Sequence, residues 1–174
     1  MRKFSLLLAS TLLLIGISKG SYGQASATAS VTATIVTPIA ISKTTDMNFG
    51  RVAVTSTAGT VVLAAAGTRS TTGGVTLPST GGTSDVSPAV FAVSGTANYT
   101  YAITLPSSDV TITDGTNTMT VNTFTSSPTV ASGGTLDASG DQNLRVGATL
   151  HVSANQAAGV YTTSTPFTVT VNYN

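Results

Sequence analysis

Hydrophobic and polar residues alternate along most of this chain with a period of two, the mark of half-buried β-strands. The last run is the cleanest. Phe167, Val169, Val171 and Tyr173 share one face, and Thr168, Thr170, Asn172 and Asn174 share the other. A second clean run spans residues 25–35, where Ala25, Ala27, Ala29, Val31, Ala33 and Ile35 alternate with Ser and Thr. Its apolar face is made mostly of small residues, which suits a strand lying in a narrow groove. Pro38 interrupts the pattern, because proline brings no N–H to a ladder.

Between these runs the pattern predicts more short strands. Ile39 and Ile41 open one, and Gly50 marks a bend after Met47-Asn-Phe. Residues 59–66 form a continuous apolar run, expected to be a strand buried in the core. Residues 69–87 are rich in Gly, Ser and Thr and read as loop around a short strand at 75–77. Residues 90–94 make a strand and 95–98 a turn. Tyr99, Tyr101, Ile103 and Leu105 then share a face up to Pro106. Asp114-Gly115, between alternating segments at 110–113 and 119–124, predicts a hairpin. Residues 126–141 read as mostly loop. Leu144, Val146, Ala148, Leu150 and Val152 form one apolar face, with Arg145, Thr149 and His151 opposite. About nine to eleven short strands with regular turn signals predict an all-β fold: an immunoglobulin-like antiparallel β-sandwich of Greek-key type.

The first residues read differently. Arg2 and Lys3 precede an apolar run at 6–17, and small residues follow before Gln24. This is the pattern of a secretory signal peptide, with cleavage expected after Gly23. The expected organisation is a signal peptide at 1–23, an alternating N-terminal strand at 24–37 and a sandwich domain at 38–174. Arg2, Lys3 and Lys19 would leave with the leader, taking the formal charge from +1 to −2. The remaining cations, Lys43, Arg51, Arg69 and Arg145, are scattered and make no patch for nucleic acid. The mature chain has no apolar run long enough to span a membrane. There is no cysteine, so an exported domain must rely on its core and its ladders.

The inventory of reactive groups is short. His151 is the single histidine, it lies on a polar strand face, and there is no Cys or Glu to accompany it. It reads as a solvated residue, and no Ser or Thr has a base to activate it. The expectation is a protein without enzymatic activity or cofactor. Asp137, Asp141 and Asn143 place oxygens close together, but calcium needs six to eight. Turn chemistry is the preferred reading, and no metal site is assigned. Tyr99 and Tyr101 read first as core or cross-strand residues. If exposed, with Phe124, they would instead offer a sugar-stacking platform. Tyr161, just after Gly159, reads as a corner tyrosine whose hydroxyl bonds nearby backbone.

Met47-Asn-Phe-Gly50, Phe91-Ala-Val-Ser-Gly95, Leu144-Arg-Val-Gly147 and Gln156-Ala-Ala-Gly-Val-Tyr161, with the terminal 167–173 strand, resemble the DUF4402 family of exported bacterial domains. That family supplies no settled activity. More distantly the chain resembles chaperone–usher fimbrial subunits and spore-coat-U-like secreted pilins. It departs from them in having no disulfide and in placing its last glycine, Gly159, farther from the end. The resemblance implies a structural subunit of a bacterial surface fimbria or fibre, assembled by β-strand addition. It also implies partners: further subunits, a periplasmic chaperone in transit and an outer-membrane usher. Val31, Ala33 and Ile35 would be donor side chains, and Phe167, Val169, Val171 and Tyr173 would line or flank the acceptor groove. The competing reading is a self-contained secreted or cell-surface sandwich that binds glycan or protein.

Overall fold

The computed structural model describes residues 23–78 and 86–174. Residues 1–22 of the leader expected at 1–23 therefore lie outside the described residues, as does most of the Gly/Ser/Thr-rich stretch after Pro78. The chain divides into two units at Ile35/Val36.

In the first unit, residues 23–35 carry no strand, and every one of them is exposed. This corrects the strand expected there. Alternation only makes a segment competent for a ladder; a strand also needs a partner whose N–H and C=O groups face its own. No described segment pairs with residues 23–35.

In the second unit the described residues form thirteen strands and no helix. They are β1 (Ala40–Thr45), β2 (Asn48–Phe49), β3 (Ala53–Leu63), β4 (Arg69–Thr76), β5 (Val86–Ser87), β6 (Ala89–Ser94) and β7 (Thr100–Thr104). There follow β8 (Val110–Thr113), β9 (Thr118–Ser127), β10 (Gly134–Thr135), β11 (Asp141–Val152), β12 (Thr162–Thr163) and β13 (Thr170–Tyr173). All pairings are antiparallel. An eight-stranded sheet runs β1-β6-β11-β9-β8-β12, with β3 and β4 attached through β11. A three-stranded sheet runs β10-β7-β13, and β2 pairs with β5 alone. The chain crosses between sheets at β6–β7, β7–β8, β9–β10, β10–β11 and β12–β13, and the result is a β-sandwich.

The trunk of the large sheet is β11. One of its edges pairs with β9 over residues 145–151. The other pairs with β6 over residues 141–146 and with β3 over 148–152. Gly147 sits at the handover. A Cβ there would strike the Leu63 carbonyl oxygen and the Ala64–Ala65 backbone, so only glycine lets β3 arrive where β6 leaves. The expected apolar face of β11 is all buried: Leu144, Val146, Ala148, Leu150 and Val152. It feeds two connected cores. One lies between β6, β11, β7 and β13, and holds Val93, Tyr101, Ile103, Leu136, Leu144, Val146, Val169 and Val171. The other lies under β3, β4, β8 and β9. Met47 and Phe124 pack against both.

Three strands run well beyond their predicted bounds: β4 spans Arg69–Thr76 where a loop around a short strand at 75–77 was expected, because it pairs with β3, and in β3 and β9 a bulge is the reason. The register of β3 against β4 shifts between Val54 and Gly59, so the strand begins at Ala53, within a Thr/Ser-rich stretch. In β9, Gly147 faces Thr125 while Thr149 faces Asn122, which leaves one extra residue on β9. Thr123 has φ of 50° there. The bulge flips the parity, so Met119 and Val121 turn inward before it and Phe124 and Ser126 after it.

Candidate strand-addition interface

Each sheet of the sandwich ends in an unpaired edge on the same side. Among the described residues β1 pairs only with β6 and β13 only with β7, and the two strands approach each other across the seam. Asn174 N–H donates to the Thr100 carbonyl (3.4 Å), and Asn172 and Thr170 stand opposite Ala102 and Thr104. Ladder bonds alternate from residue to residue along an antiparallel strand. The backbone N–H and C=O of Val171 and Tyr173 therefore face away from β7, along the free edge, and Val169, just before the strand, continues their parity. Those are the residues whose side chains enter the core.

The seam is apolar inside and only partly covered. Ile41 flanks it from β1, with Ile39 from just before that strand and Phe167 from the approach to β13, all half-buried. Phe167 joins an aromatic trio that bridges the two sheets. Its ring lies 5.0 Å from Phe124 and 6.3 Å from Phe91, the latter edge-on. Val169 and Val171 are buried behind it. The four terminal residues named from the sequence thus sit together on one edge. The three donor residues do not join them: Val31 is 96% exposed, Ile35 is 98% exposed, and Ala33 between them is exposed as well.

The seam closes at one end in a hydrogen-bonded knot that sequence reasoning missed. Thr96 N–H donates to Tyr173 Oη (2.7 Å), which donates to the Thr37 carbonyl (2.8 Å). Thr37 N–H donates to Thr96 Oγ1 (2.9 Å), and that hydroxyl donates back to the Thr37 carbonyl (3.3 Å). Gly95 makes room for the phenol, since a Cβ there would strike Tyr173 Oη. The sequence signals were Gly95 in its motif and the penultimate tyrosine, but nothing in either points to Thr37.

Elsewhere the polar groups are held by turns. Tyr101 is fully buried, which pushes its phenol pKa up, and its hydroxyl donates to Gln142 Oε1 (2.7 Å). Tyr99 lies outside β7, 43% exposed, edge-on to Tyr173 at 5.6 Å. The shared face expected for the two tyrosines is therefore not formed, because β7 starts only at Thr100. Phe124 is half-buried in its trio, and no stacking platform results. Asp137 Oδ1 accepts from Ser139 N–H (2.8 Å) and Asp141 N–H (3.0 Å). The Asp141 and Ser139 amides hold the Asp137 carboxyl below its usual pKa, so this is a turn cap. Asp114 caps the β8–β9 turn in the same way, through Asn117 N–H (2.6 Å), Asn117 Nδ2 (3.0 Å) and Thr116 N–H (2.9 Å). Those bonds, the Asn117 amide first, lower its pKa to about 2. His151 Nε2 meets Asn122 Oδ1 (2.8 Å) on the exposed outer face of β11. Tyr161 Oη donates to the Ala157 carbonyl (2.8 Å), the local backbone bond expected of a corner tyrosine.

Among the described residues no helix is long and apolar enough to cross a membrane. No curated protein and no solved structure matches the chain. Residues 39–173, the whole sandwich from Ile39 to Tyr173, match a family described as a domain of unknown function. The motifs at Gly95 and Gly147 and the terminal strand, whose geometry builds the seam and the trunk, fall within that match, and the chain belongs to the DUF4402 family.

Proposed function

We propose that this chain is an exported structural subunit of a bacterial surface fimbria or fibre, joined to its neighbours by β-strand addition. One observation carries the reading. A domain that shows two adjacent free edges and a half-covered apolar seam is preceded by an alternating, fully exposed segment with no ladder partner among the described residues. An unpaired edge backed by apolar side chains is a template for another strand. Residues 24–35 have the alternation of a strand but form none within their own chain. Laid along the free edge of a neighbour's β13, the segment would meet the outward N–H and C=O groups of Val171 and Tyr173. Val31, Ala33 and Ile35 would then cover the seam. Burying Val31 and Ile35 from nearly full exposure contributes roughly 3–6 kcal/mol together. Export, passage with a periplasmic chaperone and polymerisation at an outer-membrane usher belong to the same proposal. No catalytic role is assigned.

The test uses the mature chain and a version lacking residues 24–35. The mature chain should form concentration-dependent, heat-resistant oligomers. The shortened chain should unfold cooperatively only when a peptide of residues 25–36 is added. A peptide carrying Ala33→Asp should fail, because it would bury an unpaired charge. A shortened chain that folds cooperatively alone and ignores the peptide would remove the grounds for strand addition.

A further inference from the structure

The knot at Thr37 bears on a question that strand addition raises: why the segment would not complete its own domain. The chain enters the sandwich at Thr37, beside Tyr173, where β13 ends. To reach the free edge of its own β13, the chain would have to reverse direction at residues 36–38. Both backbone groups of Thr37 are already bonded, N–H to Thr96 Oγ1 and C=O to Tyr173 Oη and Thr96 Oγ1. Pro38 fixes its own φ and steers the residue before it away from helical backbone toward extended. A reversing turn centred on Thr37 and Pro38 would need Thr37 in helical backbone, which Pro38 disfavours, and would pull Thr37 away from two or three hydrogen bonds.

We infer that the Thr37–Thr96–Tyr173 knot with Pro38 is a latch against self-complementation, which keeps residues 24–35 for the edge of a second copy of this chain. The inference rests on the proposed strand addition. It also gives the penultimate tyrosine a role apart from the groove: its ring closes one end of the seam and its hydroxyl sets the exit of the donor segment. Gly95 belongs to the device, because any side chain there would displace the hydroxyl.

The experiment uses the full mature chain with Thr96→Val, which removes the hydroxyl that both donates to and accepts from Thr37. Pro38→Gly is the second variant; it frees the backbone and leaves every side chain of the knot in place. Thr96→Ser, which keeps the hydroxyl, is the control. Size-exclusion chromatography with light scattering reads the monomer-to-oligomer ratio, and hydrogen exchange reads protection of residues 25–35. Thr96→Val and Pro38→Gly should each raise that ratio, by roughly tenfold when combined. In the new monomer residues 25–35 should be protected, while Thr96→Ser behaves as the parent. Variants that oligomerise like the parent, or that yield monomers with an unprotected segment, overturn the latch while leaving strand addition standing. A parent chain that is itself a monomer with a protected segment overturns strand addition instead. If Thr96→Val does not fold, Pro38→Gly against the parent decides.

Discussion

Gly95 and Tyr173 are far apart in sequence and share one small volume, so their substitutions should be strongly coupled. An alanine at Gly95 puts its Cβ into Tyr173 Oη and 3.0 Å from Leu136 Cδ1. Leu136 is buried against the core, so the neighbour that must give way is held on both sides. Overpacking of this kind costs about 1–3 kcal/mol, and displacing the hydroxyl adds its bonds to Thr96 and Thr37. Each such bond contributes about 0.5–1.5 kcal/mol net, so Gly95→Ala should lose about 2–6 kcal/mol. Tyr173→Phe loses the two bonds alone, about 1–3 kcal/mol. In the phenylalanine background the alanine has no hydroxyl to strike, and the bonds it would break are already gone. The double variant should therefore be less destabilised than the sum of the two by about 1–3 kcal/mol. Urea unfolding of the four proteins at one fixed concentration measures the cycle; the concentration is held because strand addition would make stability depend on it. Additivity within about 0.5 kcal/mol would refute the shared volume.

Four further outcomes follow from particular groups. Tyr101→Ala should destabilise by about 3–5 kcal/mol by emptying the centre of the first core, and Tyr101→Phe by only about 1 kcal/mol, read from denaturant midpoints. Asp114 is lowered from 3.8 to about 2 in the folded chain. Its stabilisation is thus complete above pH 3.8 and is lost as pH falls through about 2; the Tm of Asp114→Ala should drop less over that interval than the parent's. A chelator should leave the Tm unchanged, because the Asp137 carboxylate is committed to backbone amides; a fall reversed by calcium would contradict that. Ser126→Ala should be neutral or stabilise by up to about 1 kcal/mol, since Ser126 Oγ is buried without a partner among the described residues.

The strand pattern was legible wherever a strand keeps one parity from end to end. β11 shows this best: its five alternating apolar residues are the buried face of the trunk. The pattern failed where a bulge reverses parity, since period-two reading treats the chain as unbroken. Thr123 hid the inward turn of Phe124 and Ser126, and the shift between Val54 and Gly59 hid the first half of β3. The terminal residues of the candidate interface were legible for the same reason as β11. Their surroundings were not. Which edge of β13 is free depends on where β7 and β1 lie, and pairing across long sequence separation leaves no trace in local periodicity.

Residues 24–35 show most plainly what alternation encodes. Ala25 to Ile35 alternates as cleanly as β13 does, yet one is a strand and the other is not. Both segments alternate, the first with more Ala, a weaker strand former, and they differ above all in the partner. β13 has β7 on one side. The N-terminal segment has no described neighbour, and with Val31 and Ile35 almost wholly exposed it carries apolar surface that its own chain leaves uncovered. An isolated strand gains no cross-strand pairs to offset the conformational entropy of ordering it. A segment that keeps strand chemistry without a sheet is stable as a strand only when an edge is supplied. The free edge of β13 presents the matching parity, with backbone groups outward at Val171 and Tyr173 and apolar side chains directed into the core. On the proposed strand addition, local pattern and unpaired edge would be two halves of one ladder, and the latch inferred at Thr37 would decide whether the halves meet within a chain or between chains.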